Sequence, residues 1–344
     1  MPPSPPRLRH VSNPPNRFHE RSVCLEEAPP ELRPTIFEES PREILSENDS
    51  PDIPFRYSLN PYRGCGHACA YCYARPTHEY LDLGAGTDFD TRLVVKPEAP
   101  RLLEQTFARK SWAGELIAFS GNTDAYQPIE ARYGLTRACL EVCARFRNPV
   151  GVITKSALIE RDVDVLAEMS ATSFASVTIS VPFWNEGNAR RVEPGAPTPK
   201  RRIAAIRVLA ESGLRVGVNV APIIPGLNDH EAPVILEAAR EAGAQYFGRI
   251  LVRLPSSVRP VFEERISLAF PDRAKRILAS IEDCRGGQRN DPRFHHRMSG
   301  EGERWRAIET LIDATAKRLG YVDRPEPPRP SAFRRPTTQI ELFG

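Results

Sequence analysis

A chain of 344 residues with 40% hydrophobic and 26% charged residues is long enough to bury a sizeable core and has the composition of a soluble globular protein. No apolar run is long enough to span a membrane and no signal-peptide pattern opens the chain, so a cytoplasmic protein without a membrane partner is expected. A formal net charge of +3 does not demand nucleic acid as a partner, and seven cysteines in a reducing compartment read as metal ligands or reactive thiols rather than a disulfide framework.

Proline is dense before Pro51, in Met1–Pro6, Asn13–Pro15 and Pro29–Pro34, and proline suits neither helix interiors nor central strands. Residues 1–50 are therefore expected to form a mostly irregular lead-in, 51–322 the core with a C-terminal helical extension, and 323–344 a flexible proline-rich tail. Within the core, apolar runs rich in β-branched residues predict strands at Arg56–Leu59, Glu115–Ser120, Val150–Thr154, Ser176–Val181, Arg215–Val220 and Tyr246–Val252. Amphipathic stretches between them predict helices at Pro97–Lys110, Thr136–Phe146, Leu158–Met169, Pro199–Ser212 and Glu231–Ala242, with Gly213 and Gly243 as stop signals. Alternation of this kind indicates parallel βαβ units and a partial (β/α)6 barrel, an α/β fold whose chemistry belongs at the C-terminal ends of the strands.

The first predicted strand runs into Asn60-Pro61-Tyr62-Arg63-Gly64-Cys65-Gly66-His67-Ala68-Cys69-Ala70-Tyr71-Cys72-Tyr73, with the spacing C-x3-C-x2-C. Three thiolates can hold three irons of a cubane cluster and leave the fourth iron open. A structural zinc site wants four protein ligands, for which His67 or His78 could supply the last. Placement after the first strand, Tyr71 before the third cysteine, and the barrel pattern downstream favour iron–sulfur.

The stretch C-x3-C-x-Tyr-C resembles the radical S-adenosylmethionine superfamily. Residues 48–55 (NDSPDIPF), 57–64 (YSLNPYRG), 73–78 (YARPTH) and 123–130 (TDAYQPIE) resemble a bacterial branch related to spore photoproduct lyase, and the likeness spans roughly residues 45 to 320. It implies a [4Fe–4S] cluster on Cys65, Cys69 and Cys72, S-adenosylmethionine as the second cofactor, and an electron donor for the cluster. It also implies the shared first step, in which adenosylmethionine is cleaved to methionine and a 5′-deoxyadenosyl radical that takes a hydrogen atom from the substrate.

Cofactor-binding candidates follow from strand ends and from the resemblance. They are Tyr71, then Ser120, Gly121, Thr123 and Asp124 after the second strand, Lys155 after the third and Ser180 at the fourth, with Asn219 weaker. Lys155, in Thr154-Lys155-Ser156, looks like the lysine that meets the methionyl carboxylate in the lyase relatives, against the plainer alternative of a solvated lysine. Asp124 is a candidate partner of the amino group. Residues 221–229 (APIIPGLND) are either an adenine-side turn or only a proline-stiffened loop. The lyase carries a hydrogen-returning cysteine where this chain has Gly121-Asn122-Thr123-Asp124, so thymine-dimer reversal by that route is in doubt, and no residue is singled out as catalytic. Cys139 and Cys143, spaced i, i+4 on an apolar helix, read as buried structural thiols, and Cys24 and Cys284 support no second cluster.

Two basic groups, Arg190, Arg191, Lys200, Arg201 and Arg202, then Arg285, Arg289, Arg293, Arg297, Arg304 and Arg306 around Phe294, His295, His296 and Trp305, suit phosphate contact and base stacking. With the resemblance they tilt the expectation towards a nucleic-acid substrate, repaired or modified. The alternatives are a non-catalytic iron–sulfur or zinc module, or the same chemistry on a peptide or small molecule. The C-terminal Gln339, Ile340, Leu342 and Phe343 resemble the peptide by which bacterial repair and replication proteins bind the DNA sliding clamp. Folding of the tail onto its own barrel is the competing expectation.

Overall fold

The structure is a computed structural model that describes residues 34–336. Its strands in chain order are β1 Thr35–Glu38, β2 Leu45–Glu47, β3 Tyr57–Leu59, β4 Tyr62–Arg63, β5 Arg92–Val95, β6 Ile117–Phe119, β7 Val150–Thr154, β8 Ala175–Ser180, β9 Arg215–Ile223 and β10 Tyr246–Leu251. The seven-stranded sheet has the order β10-β9-β8-β7-β6-β3-β2. Pairing is parallel from β3 through β10, and β2 lies antiparallel on the outer side of β3. Helices cross between the parallel strands, among them Leu135–Arg145, Pro199–Glu211 and Ala232–Glu241, so the fold is the partial (β/α)6 barrel.

The strands are legible because their two faces have different work. Val150, Val152, Val177, Ile179, Val216 and Val218 are fully buried beneath the helices. Alternate positions carry small or polar residues in matching register, as Ala118 opposite Gly151, Gly151 opposite Ser176, and Thr178 opposite Gly217. That face stays open and lines a cavity of about 550 Å3, walled by Ala118, Gly151, Ile153 and Ser176 and by residues of the C-terminal tail. The largest boundary difference is the helix expected at Leu158–Met169. It begins as a 3-10 turn, Ala157–Asp162, whose first free N–H (Leu158) is taken by the Ser156 hydroxyl at 3.2 Å, and becomes α-helical at Val163.

Two strands form inside the lead-in, where proline content alone predicts irregular chain. Both are short edge strands made by partners far along the sequence: β1 runs parallel to β5, and β2 antiparallel to β3. The tail through residue 336 has neither helix nor strand, yet it is laid against the barrel. The Phe333 ring lies 5.7 Å from Phe107, Ser331 donates to the Gly114 carbonyl at 2.8 Å, and Arg335 donates to the carbonyls of Arg109 and Trp112 at 2.6 and 2.9 Å. The segment bearing Gln339, Ile340, Leu342 and Phe343 lies outside the described residues, as does Cys24.

After β10 come the helices Val258–Ala269, Ala274–Asp283 and Gly302–Arg318. The stretch before the last one spans the open side of the barrel. Met298 accepts from the Leu251 amide at 3.1 Å on the β10 side, while Arg297 reaches Asp52, near the start of β3, at 2.5 Å. Among the described residues no helix is long and apolar enough to cross a membrane.

Candidate cofactor site

Cys65, Cys69 and Cys72 lie on the loop that follows β4, all free thiols; Cys65 and Cys69 are buried and Cys72 is partly so. The loop is shaped by its backbone. Gly64 adopts φ +71°, and a Cβ there would come 2.9 Å from both the Phe89 carbonyl oxygen and the His78 ring. Gly195 packs so closely that its Cβ would sit 2.0 Å from the Gly66 oxygen, while its N–H donates to His67 at 3.1 Å. Either side chain would push the cysteine loop aside.

Polar side chains hold the loop from below. Gln127 Nε2 donates to the Gly64 carbonyl at 2.8 Å while its Oε1 accepts from the Gly66 amide at 3.0 Å. Thr123 donates to the same Gly64 carbonyl at 2.6 Å, so its hydroxyl serves the loop. Arg75, fully buried, donates to Cys69 O at 2.7 Å, to Ala85 O and Gly86 O at 2.9 Å, and to Asp90 at 2.8 Å. Arg265, from the helix after β10, donates to Ala68 O and to the other oxygen of Asp90. A single buried carboxylate thus bridges two guanidinium groups that grip the cysteine loop.

Above the loop the strand ends converge. The Asp124 carboxylate accepts from Thr154 Oγ1 at 2.6 Å, the Lys155 amide at 2.8 Å and the Tyr126 amide at 2.9 Å, with His67 Nδ1 at 3.4 Å. Burial pushes its pKa up, but His67 and these donors outweigh burial and hold the carboxyl well below the usual range. Its lone pairs are largely spent within the protein, which fits a residue that positions Lys155 better than one that binds a ligand ammonium. Lys155 Nζ lies 5.6 Å from the centre of the Tyr71 ring, and its charge acts on Cys69 and Cys72. Lys155 is half-buried at this strand end. The Tyr71 hydroxyl donates to Glu193, which also takes Arg202 at 2.6 Å, and Arg202 donates to the Ser180 carbonyl at 3.0 Å. Ser180 pairs in register with Asn219. Ser120 and Gly121 directly follow β6, with Gly121 beside Asn60, whose buried Nδ2 has no hydrogen-bond partner among the described residues. Of residues 221–229, the first three complete β9 and the rest form a packed turn: Asn228 Oδ1 accepts from Ile224 N at 2.6 Å, and Ile224 and Leu227 are fully buried.

Burial raises the thiol pKa of Cys69 to about 12, with Lys155 opposing, and raises those of Cys65 and Cys72. Iron binds the thiolate, so metal binding would offset that desolvation. Among the described residues no three His, Cys, Asp or Glu side chains form a set able to hold one metal ion. His67 faces Asp124, and His78 Nε2 is 2.8 Å from the Arg92 carbonyl. A zinc tetrahedron fits poorly. A cubane, which takes each thiolate on a different iron, suits this donor set, and the orphaned Asn60 amide marks a place for a polar ligand.

The basic clusters are largely neutralised inside the protein. Arg201 pairs with Glu160 at 2.6 Å, Arg202 is buried on Glu193, and Arg191 stacks on Phe270 at 5.4 Å. Arg285 is buried among carbonyls, including Val252 O at 2.8 Å; Arg289 pairs with Glu282 at 2.7 Å and Arg293 with Asp291 at 2.7 Å. Trp305 is buried with its Nε1 on Ser299 at 3.0 Å. Their spacing in sequence suggests a phosphate-binding surface, which side-chain pairing largely removes.

The family model for the Radical SAM superfamily matches residues 59–239, more than half of the chain. This chain belongs to the radical SAM superfamily. Its cofactors are therefore a [4Fe–4S] cluster and S-adenosylmethionine, as the donor set of the cysteine loop allows. The radical SAM chain is 37% identical over 297 residues to an uncharacterized protein of Mycobacterium tuberculosis, covering 85% of this chain and 83% of that one. It is 25% identical over 230 residues to a protein of Pseudomonas phage M6 named radical SAM Nalpha-GlyT isomerase, covering 66% of this chain and 46% of the phage protein. Spore photoproduct lyase complexed with dinucleoside spore photoproduct has the same fold, with a TM-score of 0.59 at 14% identity over 83% of this chain and 80% of that one.

If Lys155 takes the methionyl carboxylate, Lys155→Ala should leave the cluster absorbance intact and weaken adenosylmethionine binding. A charge-assisted hydrogen bond contributes about 1.5–3 kcal/mol, so calorimetric titration should show a loss of about tenfold or more. Equal affinity in wild type and variant would exclude the contact.

Proposed function

We propose that this radical SAM enzyme acts on nucleic acid, repairing or modifying a nucleotide at the C-terminal mouth of the barrel. Cys65, Cys69 and Cys72 hold the cluster; Lys155 meets the methionyl carboxylate, with Tyr71, Ser120, Gly121 and Ser180 around the cofactor and Asp124 and Thr123 fixing the strand ends. When bound, the cofactors supply a 5′-deoxyadenosyl radical that removes a hydrogen atom from the substrate. The chain itself orients the cofactor through Lys155 and excludes water through the packed turn at 221–229. The observation that carries the enzymatic reading is the juxtaposition of three free thiols with Lys155 at the strand ends. Support for nucleic acid comes from the name of the lyase structure of the same fold, which holds a dinucleoside spore photoproduct.

Because the basic clusters are internally paired, recognition would rest on a short nucleotide segment at the mouth and not on a broad phosphate track. The deciding experiment is turnover with oligonucleotide deuterated at the sugar and base carbons. Deuterium is expected in 5′-deoxyadenosine. Cleavage of adenosylmethionine with no deuterium transferred would turn the reading to a peptide or small molecule, and no cleavage at all would leave a non-catalytic module.

Docking of the C-terminal Gln339, Ile340, Leu342 and Phe343 on the sliding clamp stands as a second proposal, supported by that sequence and by the anchoring of Arg335 at the barrel wall. A peptide spanning residues 336–344 should bind purified clamp with micromolar affinity, and replacing Leu342 and Phe343 by Ala should abolish it. Absence of binding at high micromolar clamp would refute docking.

A further inference from the structure

Around the cysteine loop, arginines are committed to protein partners: Arg75 and Arg265 to Asp90, Arg202 to Glu193, and Arg161 to Glu130 and Asp162. Arg253 differs. It stands just past the C-terminal end of β10, at the rim where the chemistry belongs. Among the described residues its one side-chain hydrogen bond is Nη1 to the thioether of Met298 at 3.7 Å, a weak acceptor. Its Nε is buried without a partner, and among the described residues no carboxylate lies within ion-pair distance of it. The nearest candidate, Asp52, is taken by Arg297 at 2.5 Å. Burial and then the neighbouring Arg297 both depress its pKa, as expected of a cation lacking its counter-charge. A guanidinium that is half-buried and uncompensated is costly, and an incoming oxyanion with two oxygens matches its fork.

A second feature stands beside it. Tyr73, directly after Cys72, is 52% exposed, although the rest of the motif is largely enclosed. Its hydroxyl lies within electrostatic reach of Cys72, Arg253 and Asp124. An exposed aromatic face within electrostatic reach of an unpaired guanidinium offers one ligand both a planar surface and a charge.

We infer that Arg253 and Tyr73 form the substrate-recognition site of this enzyme, Arg253 taking the oxygens of a phosphate and Tyr73 stacking on the adjoining base. The identity of the oxyanion rests on the nucleic-acid reading above; the anion site itself does not. Arg253 and Tyr73 are specificity residues, distinct from Lys155, which is assigned to the cofactor.

The test uses reconstituted, cluster-loaded full-length protein with adenosylmethionine bound. Thymidine 5′-monophosphate, thymidine, inorganic phosphate and succinate are titrated by calorimetry against wild type, Arg253→Gln, Arg253→Lys and Tyr73→Ala. Iron content and adenosylmethionine affinity of each variant serve as checks that fold and cofactor site are intact. Thymidine 5′-monophosphate is expected to bind wild type at least tenfold more tightly than thymidine. Arg253→Gln should erase that difference, Arg253→Lys should restore part of it, and Tyr73→Ala should weaken both ligands while keeping their ratio. Binding of phosphate or succinate that depends on Arg253, with no binding of the nucleotide, would support the anion site and overturn its nucleic-acid assignment. Probes that bind wild type and Arg253→Gln alike, no measurable binding of any probe to wild type, or a loss of adenosylmethionine affinity in Arg253→Gln, would overturn the inference.

Discussion

Replacing Cys65, Cys69 or Cys72 by alanine is expected to abolish the cluster and with it all cleavage of adenosylmethionine. Anaerobically reconstituted wild type should carry about four irons per chain and absorb broadly in the visible, as thiolate-ligated cubanes do. Each single variant should lose that spectrum and fall to background in 5′-deoxyadenosine formation. The effect is all-or-none because three ligands already leave one iron without a protein donor, and of the two histidines near the loop His67 faces Asp124 while His78 Nε2 is held by the Arg92 carbonyl. Secondary structure should survive, since the loop is held by backbone carbonyls that Arg75, Arg265 and Gln127 bond whichever side chain replaces the thiol. Circular dichroism of the variants separates the two effects. Stoichiometric zinc without an iron–sulfur spectrum, in wild type purified without oxygen, would refute the assignment.

Much of the barrel was legible in the chain because the parallel strands are buried along almost their whole length and therefore read as runs such as Val150–Thr154 or Ala175–Ser180. The cysteine loop was legible because its ligands are local: all three thiols and Tyr71 fall on one turn-rich segment. What supports the loop was not. Asp90 and Arg265 are 175 residues apart, belong to no motif, and meet only because the helix after β10 returns to the first loop. Gln127 and Arg75 sat within recognisable motifs, but their partners are backbone carbonyls, which no sequence pattern displays. Side-chain pairing also misleads in the other direction. Arg202 and Arg285 look like surface cations in a basic run, and both are buried structural residues. Short edge strands such as β1 depend on a distant partner and not on local propensity, so proline-rich flanks conceal them.

Asp90→Ala is expected to be the most destabilising change at a residue outside the cysteine set. Asp90 is 3% exposed and holds Arg75, fully buried, on one oxygen and Arg265 on the other. Removing it leaves two guanidinium groups facing each other in a site with little water. Breaking a buried ion pair from one side costs about 3–5 kcal/mol, a large part of the roughly 5–15 kcal/mol by which domains are stable. Arg75 keeps its bonds to Ala85, Gly86 and Cys69, so the loop should not unfold outright, but Arg265 retains only the Ala68 carbonyl and should swing away. Two readouts follow from that asymmetry. Denaturant melts of the metal-free protein should show the stability loss, and the reconstituted variant should release iron faster than wild type because one of the arginine grips on the loop is gone. Asp90→Asn keeps an acceptor for one arginine while losing the charge, and should fall between Asp90→Ala and wild type in both measurements. If Asp90→Ala matched wild type in stability and iron retention, the two arginines would have to find other counter-charges, and the carboxylate would not be what joins the last helical segment to the cluster loop.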